Sequence, residues 1–324
     1  MPAMTDTAMK TRGHKMAVTA GGLEYRPSIE GLSSRSLLPS KPAKVIALVV
    51  MIIALIYFIF PIYWVIIAAT KTNAEISGTF GLWFAPHNDS TASSSLPEAI
   101  GANYAALMAW TKGMLWRWIG NSLFYSTVSA AIGTIASVMA GYALAKFKFP
   151  LKNATAGVIM AGLLMPVAIL TVPMYVMFLN MGLNNTMASI IIPCSVSPFG
   201  VFLGRVYAQS SVPTELLEAA RIDGAGEFRI FFGMVLRLLA PAMVTIFLFI
   251  FVATWNNFVL PQLMVSSEEL KPITLGLYGM ASYFDPAYGP MMMASLLGVI
   301  PLIVLFLALQ KYWQSGLAAG AVKG

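Results

Sequence analysis

Six stretches of the chain, near residues 45–69, 119–144, 154–179, 188–208, 241–263 and 290–311, run for about 20 residues or more with ionisable side chains only toward their ends. A helix of that length crosses the roughly 30 Å of a bilayer's hydrocarbon. Lipid offers backbone amides and carbonyls no partner, so such stretches must satisfy their hydrogen bonds internally, as helices do. Hydrophobic residues make up 58% of the 324 and charged residues only 10%, with a mean hydropathy of +0.76. That leaves no polar segment large enough for a soluble core. The expected fold is an all-α polytopic membrane protein of six transmembrane helices. Its expected organisation is a disordered N-terminal tail over 1–43, a six-span domain over 44–315 and a short C-terminal tail over 316–324.

The net charge of +7 is distributed by side rather than by patch, which argues against nucleic acid as a partner. The tail carries Lys10, Arg12, Lys15, Arg26, Arg35, Lys41 and Lys44. Alternate loops then add Lys146, Lys148 and Lys152, next Arg205, Arg221, Arg229 and Arg237, and finally Lys311 and Lys323. The intervening loops hold only Lys71, Lys112, Arg117 and Lys271, so the division is 16 against 4. The positive-inside rule places both termini and the segment around 213–241 in the cytoplasm. The first apolar run follows about forty polar residues and is too long for a signal-peptide core, so it reads as a retained anchor.

Catalytic constellations are missing. The two histidines, His14 and His87, lie in the tail and the first outer loop, and neither has a ligand partner at metal-binding spacing. Cys194 is the only cysteine, which excludes an intramolecular disulfide and fits a small packing residue. No G-x-x-x-x-G-K-[ST] occurs, so any ATP must be hydrolysed by another chain.

Two regions interrupt the apolar pattern. Pro166, Pro173, Pro193 and Pro198, with Gly200 and Gly204, break the third and fourth runs. Such breaks either line a cavity or are kinks absorbed by packing. In the fifth run "TWNNFVLP" places Trp255, Asn256 and Asn257 about 22 Å beyond Pro241, in the outer half of the bilayer. Amides and aromatic faces suit a sugar path, and with Tyr175 these are the candidate lining residues; interhelical hydrogen bonding is the more ordinary role for such asparagines. Trp110, Trp116 and Trp118 mark a membrane boundary, and the outer loop from about 70 to 117 is long enough to receive an external partner.

Between the fourth and fifth runs lies "VPTELLEAARIDGAGEFRIFFGMVLRLLAP". Pro213 opens a short helix with Glu215 in its first turn, and Gly224 offers a left-handed stop. Leu216, Ala219 and Ala220 share one face, with Glu215 and Glu218 beside it. A second, amphipathic helix begins near Gly226 with Phe228, Phe231, Phe232, Val235 and Leu239 as its stripe. This geometry suits a helix inserted into a cleft on a soluble partner, and it also suits a linker lying on the membrane surface.

The same segment resembles the EAA signature of permease subunits of ATP-binding-cassette importers, E-A-A-x3-G-x9-I-x-L-P. Glu218, Ala219, Ala220, Gly224 and Leu236 match; Met234 replaces the Ile, and Arg237 stands where Pro is expected. The Asp223-Gly224-Ala225 version is similar to the carbohydrate-uptake branch, the MalG-like subunits. So are residues 121–150, 165–186, 254–267 and 316–324, which extends the resemblance over about 45–324. The resemblance implies a cytoplasmic coupling helix between spans four and five, carried by Glu215, Glu218, Ala219, Ala220, Asp223, Gly224 and Ala225, with Phe231 supporting it. It implies as partners a second, MalF-like permease, two ATPase subunits that use ATP and Mg2+, and an extracytoplasmic sugar-binding protein. No cofactor would be bound by this chain. Arg237 in place of the Pro leaves two outcomes open, the sharp turn usual there or a smoother helix running on into Pro241. The competing classes are an ion- or proton-coupled carrier or channel, which usually needs ionisable residues inside its spans, and a structural membrane scaffold.

Overall fold

The computed structural model describes residues 41–78, 81–83, 95–281 and 287–321. Residues 1–40 of the tail expected over 1–43, residues 84–94 of the long outer loop with His87 among them, and the last three residues lie outside these segments. Every regular element among the described residues is helical. In chain order they are α1 (Lys41–Ala68), α2 (Asn73–Gly78), α3 (Leu96–Trp110), α4 (Leu115–Lys146), α5 (Lys152–Leu164), α6 (Val167–Asn180), α7 (Ala188–Cys194), α8 (Pro198–Ser211), α9 (Thr214–Ile222) and α10 (Glu227–Ile230). A π turn (Phe231–Val235) leads into α11 (Leu236–Leu238), followed by α12 (Ala240–Trp255), α13 (Val259–Met264), a 3-10 turn (Glu268–Leu270), α14 (Ile273–Met280) and α15 (Tyr288–Ala321).

Two compact units divide at Pro61. In the first, α1 presents side chains 42–61 to the surroundings almost without exception, and its residues Pro42–Ala68 form the most apolar candidate span. A helix apolar on all sides belongs in lipid or against other membrane helices. The second unit is organised around α4, whose 32 residues extend about 48 Å. One face of α4 is built of small residues, including Ser126, Ser129, Ala130, Gly133, Ser137 and Gly141, and is buried against α8 and α12. Close approach of backbones replaces the hydrophobic drive that lipid cannot supply. A Cβ added at Gly133 would meet the carbonyl of Ser195 at 2.6 Å, and one added at Gly141 would meet the backbone of Arg205 at 2.5 Å.

Among the described residues four helices are long and apolar enough to cross a membrane, or up to six spans if each of two bent pairs counts as one. The run expected as one span over 154–179 is α5 and α6, bent by 105°. The physical cause is Pro166: it caps α6 in an extended conformation and forces Met165 out of helical geometry. The run over 241–263 stops as α12 at Trp255 and resumes as α13. The fourth run breaks after Cys194 and restarts where Ser197 caps α8 by accepting the Gly200 amide at 3.0 Å. At the Pro193 break the Ile191 carbonyl accepts Ser129 Oγ at 3.2 Å and Ser195 Oγ at 2.7 Å, so its polarity stays within the protein. Helix continues through Ala321, so residues 316–321, expected as tail, extend α15.

Candidate functional site

Each end of α4 holds a differently built structure. At its C-terminal end sits α9. Pro213, extended and at the N-cap, starts the helix, and Glu215 lies in its first turn. The stop is a Schellman arrangement: the Ala225 amide donates to the Ala220 carbonyl and the Gly224 amide to that of Arg221, both at 3.0 Å, with Gly224 at φ +79°. Residue type alone makes that stop legible, since glycine adopts a positive φ without steric cost.

The buried face of α9 is Leu217 and Ala220, and Lys146 Nζ at the end of α4 donates to Thr214 Oγ1 at 3.4 Å. Glu215, Leu216, Glu218, Ala219, Ile222, Asp223 and Gly224 are exposed, and Ala225 is half-buried. The expected grouping of Leu216, Ala219 and Ala220 on one contact face is thereby corrected. Ala220 faces the bundle, and the outward apolar residues are Leu216, Ala219 and Ile222, the last 86% exposed. The sequence reading missed that Leu217 anchors the helix, because apolar residues on both faces of so short a helix leave its orientation undetermined.

The amphipathic segment that follows is corrected in the same way. Ile230, Phe231, Val235 and Leu239 are buried, whereas Phe228 (76%) and Phe232 (53%) are exposed. The π turn at Phe231–Val235 adds a residue to the helical cycle, so a constant 3.6-residue period places Phe228 on the wrong side. Phe231 lies 5.7 Å from the Tyr142 ring, which in turn meets Phe147 edge-on at 5.5 Å. Phe231 therefore supports the site from beneath. The segment Glu227–Leu238 meets α12 at 81°. The sharp turn exists despite Arg237; it falls at Leu239 (φ −93°, ψ 5°), just before Pro241 opens α12, so the smoother continuation does not occur.

Sequence reasoning also missed Arg221 and its surroundings. Its Nε and Nη2 donate to the two Glu227 carboxylate oxygens at 2.6 and 3.3 Å. The guanidinium lies 6.0 Å from the centre of the Phe147 ring. The hydrogen bond it gives to the Glu227 carboxylate holds the Arg221 guanidinium protonated even more firmly than usual. An Arg six residues before a Glu signals nothing by itself, because it takes the Gly224 turn to bring them together.

At the other end of α4 the chain from Met264 to Ile273 is held by its backbone. Asn121 Nδ2 donates to the carbonyls of Glu269 (2.7 Å) and Lys271 (3.0 Å), Trp118 Nε1 to that of Glu268 (3.0 Å), and Tyr125 Oη to that of Leu270 (3.0 Å). Asn185, at φ +54°, accepts the amides of Ser266 and Ser267 at 3.0 Å each, donates to Ser267 Oγ at 2.7 Å, and gives its own amide to the Met264 carbonyl at 2.8 Å.

The four residues read as path candidates do not form one surface. Trp255 is 3% exposed, its ring stacked on Phe251 at 5.8 Å. Asn257 donates to Cys194 Sγ at 3.6 Å, so it ties the break between α12 and α13 to the end of α7, and Tyr175 is half-buried in a packed cluster. Only Asn256 is exposed, with its amide turned back to the Val252 carbonyl at 3.0 Å. Among the described residues no group of three or more His, Cys, Asp or Glu side chains is placed to hold a metal.

The sequence pattern described as "binding-protein-dependent transport system inner membrane component" matches residues 133–318. The chain is 31% identical over 287 residues to the melibiose/raffinose/stachyose import permease protein MelC of Bacillus subtilis (strain 168), covering 88% of this chain and 98% of that protein. It is 31% identical over 268 residues to the lactose transport system permease protein LacG of Rhizobium radiobacter, covering 82% of this chain and 91% of LacG. In fold it is similar to a chain from the crystal structure of a bacterial ABC transporter involved in the import of the acidic polysaccharide alginate. That match has a TM-score of 0.69 at 19% identity and covers 85% of this chain and 99% of that one.

Proposed function

The chain belongs to the family of binding-protein-dependent transport system inner membrane components, and on that premise we propose that it forms half of the translocation pathway of an ATP-binding-cassette importer for a carbohydrate. The observation that carries the energy-coupling role is α9, a short helix with a fixed start and stop. Its inner face is buried on the bundle, and its outer face offers Leu216, Ala219 and Ile222 beside Glu215 and Glu218. An apolar ridge rimmed by carboxylates and backed by a 32-residue helix suits insertion into a groove of a cytoplasmic ATPase. Movement of that ATPase then tilts α9, and α4 and α8 carry the tilt through the membrane. Only a partner that binds one conformation more tightly than the other shifts the balance between them, and nucleotide-driven closure provides that difference.

The distribution of basic residues supports a cytoplasmic position for both termini and α9. A second, MalF-like permease completes the pathway, two ATPase subunits use ATP and Mg2+, and an extracytoplasmic binding protein delivers the sugar. Asn256 is the member of the proposed sugar path with a free surface.

Purification of the chain from its native membrane in mild detergent, followed by mass spectrometry, tests this directly. A P-loop ATPase and a second multi-span protein are expected alongside it. A chain that emerges alone, or only with copies of itself, overturns the reading.

A further inference from the structure

Three elements meet in one side chain, Arg221. It lies in the last turn of α9, its fork closes on Glu227 at the start of α10, and its guanidinium carbon lies 6.0 Å from the ring centre of Phe147, the cap residue of α4. The turn it spans contains Gly224 and Gly226, and around either glycine nothing lies within 4 Å of an added Cβ. Side-chain packing therefore does not stiffen these two positions, and glycine restrains a backbone least of all residues. Leu217 and Ala220 hold α9 down, and Ile230 holds α10 down. The Schellman hydrogen bonds fix where α9 ends, and the Arg221–Glu227 fork adds a side-chain link from α9 to α10 across the turn. A planar guanidinium that pairs bidentately fixes a direction as well as a distance, which an ammonium cannot do.

We propose that Arg221 is a positioning residue for energy coupling: clamped on Glu227 beside Phe147, it sets the angle at which α9 is offered to the partner ATPase. The proposal rests on the coupling reading above. It assigns Arg221 no contact with nucleotide or sugar.

The test uses the chain with its co-purifying ATPase and four variants: Arg221→Ala, Arg221→Lys, Glu227→Gln, and the exchange Arg221→Glu with Glu227→Arg. Two quantities are read. One is the concentration at which the ATPase dissociates on dilution. The other, in vesicles, is ATP hydrolysed per sugar taken up, using lactose, melibiose and raffinose as probes. Each single variant is expected to weaken ATPase retention about fivefold, the factor that corresponds to the upper end of an exposed ion pair's stabilisation. It is also expected to raise the ATP consumed per sugar. Arg221→Lys behaves like Arg221→Ala because it keeps the charge and loses the fork. The exchange recovers most of the retention, which a loss of general stability would not. Retention equal to the unsubstituted chain in all single variants, or an exchange no better than the singles, overturns the proposal while leaving the coupling reading intact. If none of the three sugars is transported, retention decides alone. If the unsubstituted chain brings no ATPase with it, the coupling reading and this proposal fail together.

Discussion

Replacing Gly141 by alanine isolates the closest backbone crossing in the molecule's central helix pair. A Cβ there would lie 2.5 Å from the Arg205 amide nitrogen, 2.6 Å from the Gly204 carbonyl carbon and 2.9 Å from the Val201 carbonyl oxygen. All three are backbone atoms of α8, so no side chain can swing away. Restoring an ordinary contact of 3.4 Å to the first atom requires α4 and α8 to separate by about 0.9 Å. A gap of that size forfeits roughly a quarter to a half of each neighbouring contact's attraction. The expected cost is about 3 kcal/mol, the upper end for an overpacked core. Gly120, in the same helix, is the matched control, because nothing lies within 4 Å of a Cβ added there. Gly120→Ala should be neutral or stabilising by up to about 1 kcal/mol, through helix propensity alone. The assay is denaturation of the purified complex in mild detergent with increasing sodium dodecyl sulfate, reading the midpoint for both variants. Equal midpoints for Gly141→Ala and Gly120→Ala would refute the claim that α4 and α8 pack backbone to backbone.

Further outcomes follow from the two ends of α4. Asn185→Ala removes three side-chain hydrogen bonds to Ser266 and Ser267 and strains a φ of +54°. It should lower protection of those two amides by about 3 kcal/mol in hydrogen exchange; unchanged exchange would show that the clasp does not hold the segment. Gly224→Asp and Glu218→Lys should abolish sugar uptake while the extracytoplasmic binding protein keeps its sugar affinity, and normal uptake with either counts against α9 as the coupling element. Deleting residues 1–40 should leave uptake unchanged, since their composition offers no apolar period with which to pack; a complex that fails to assemble would refute that.

Features that depend on a residue and its chain neighbours were legible in the sequence. Gly224 ends α9 because glycine takes positive φ at no steric cost, and Pro213 caps the start of α9. The long apolar runs are helical because lipid leaves the backbone no other partner. The tertiary structure alone decided which way each helix faces and who meets whom. α9 turns Leu217 inward instead of Leu216 because both are apolar and only the shape of the bundle beneath distinguishes them. A π turn moves Phe228 out into the open, and no local pattern announces the extra residue. Trp255 is buried by a ring one turn before it, whereas Asn185 and Asn121 find their partners 82 and 148 residues away. The Arg221–Glu227 clamp exists only once the Gly224 turn has closed. The physical reason is the range of the forces: backbone preference acts within a turn or two, while packing and side-chain hydrogen bonds act between segments that the chain brings together only on folding.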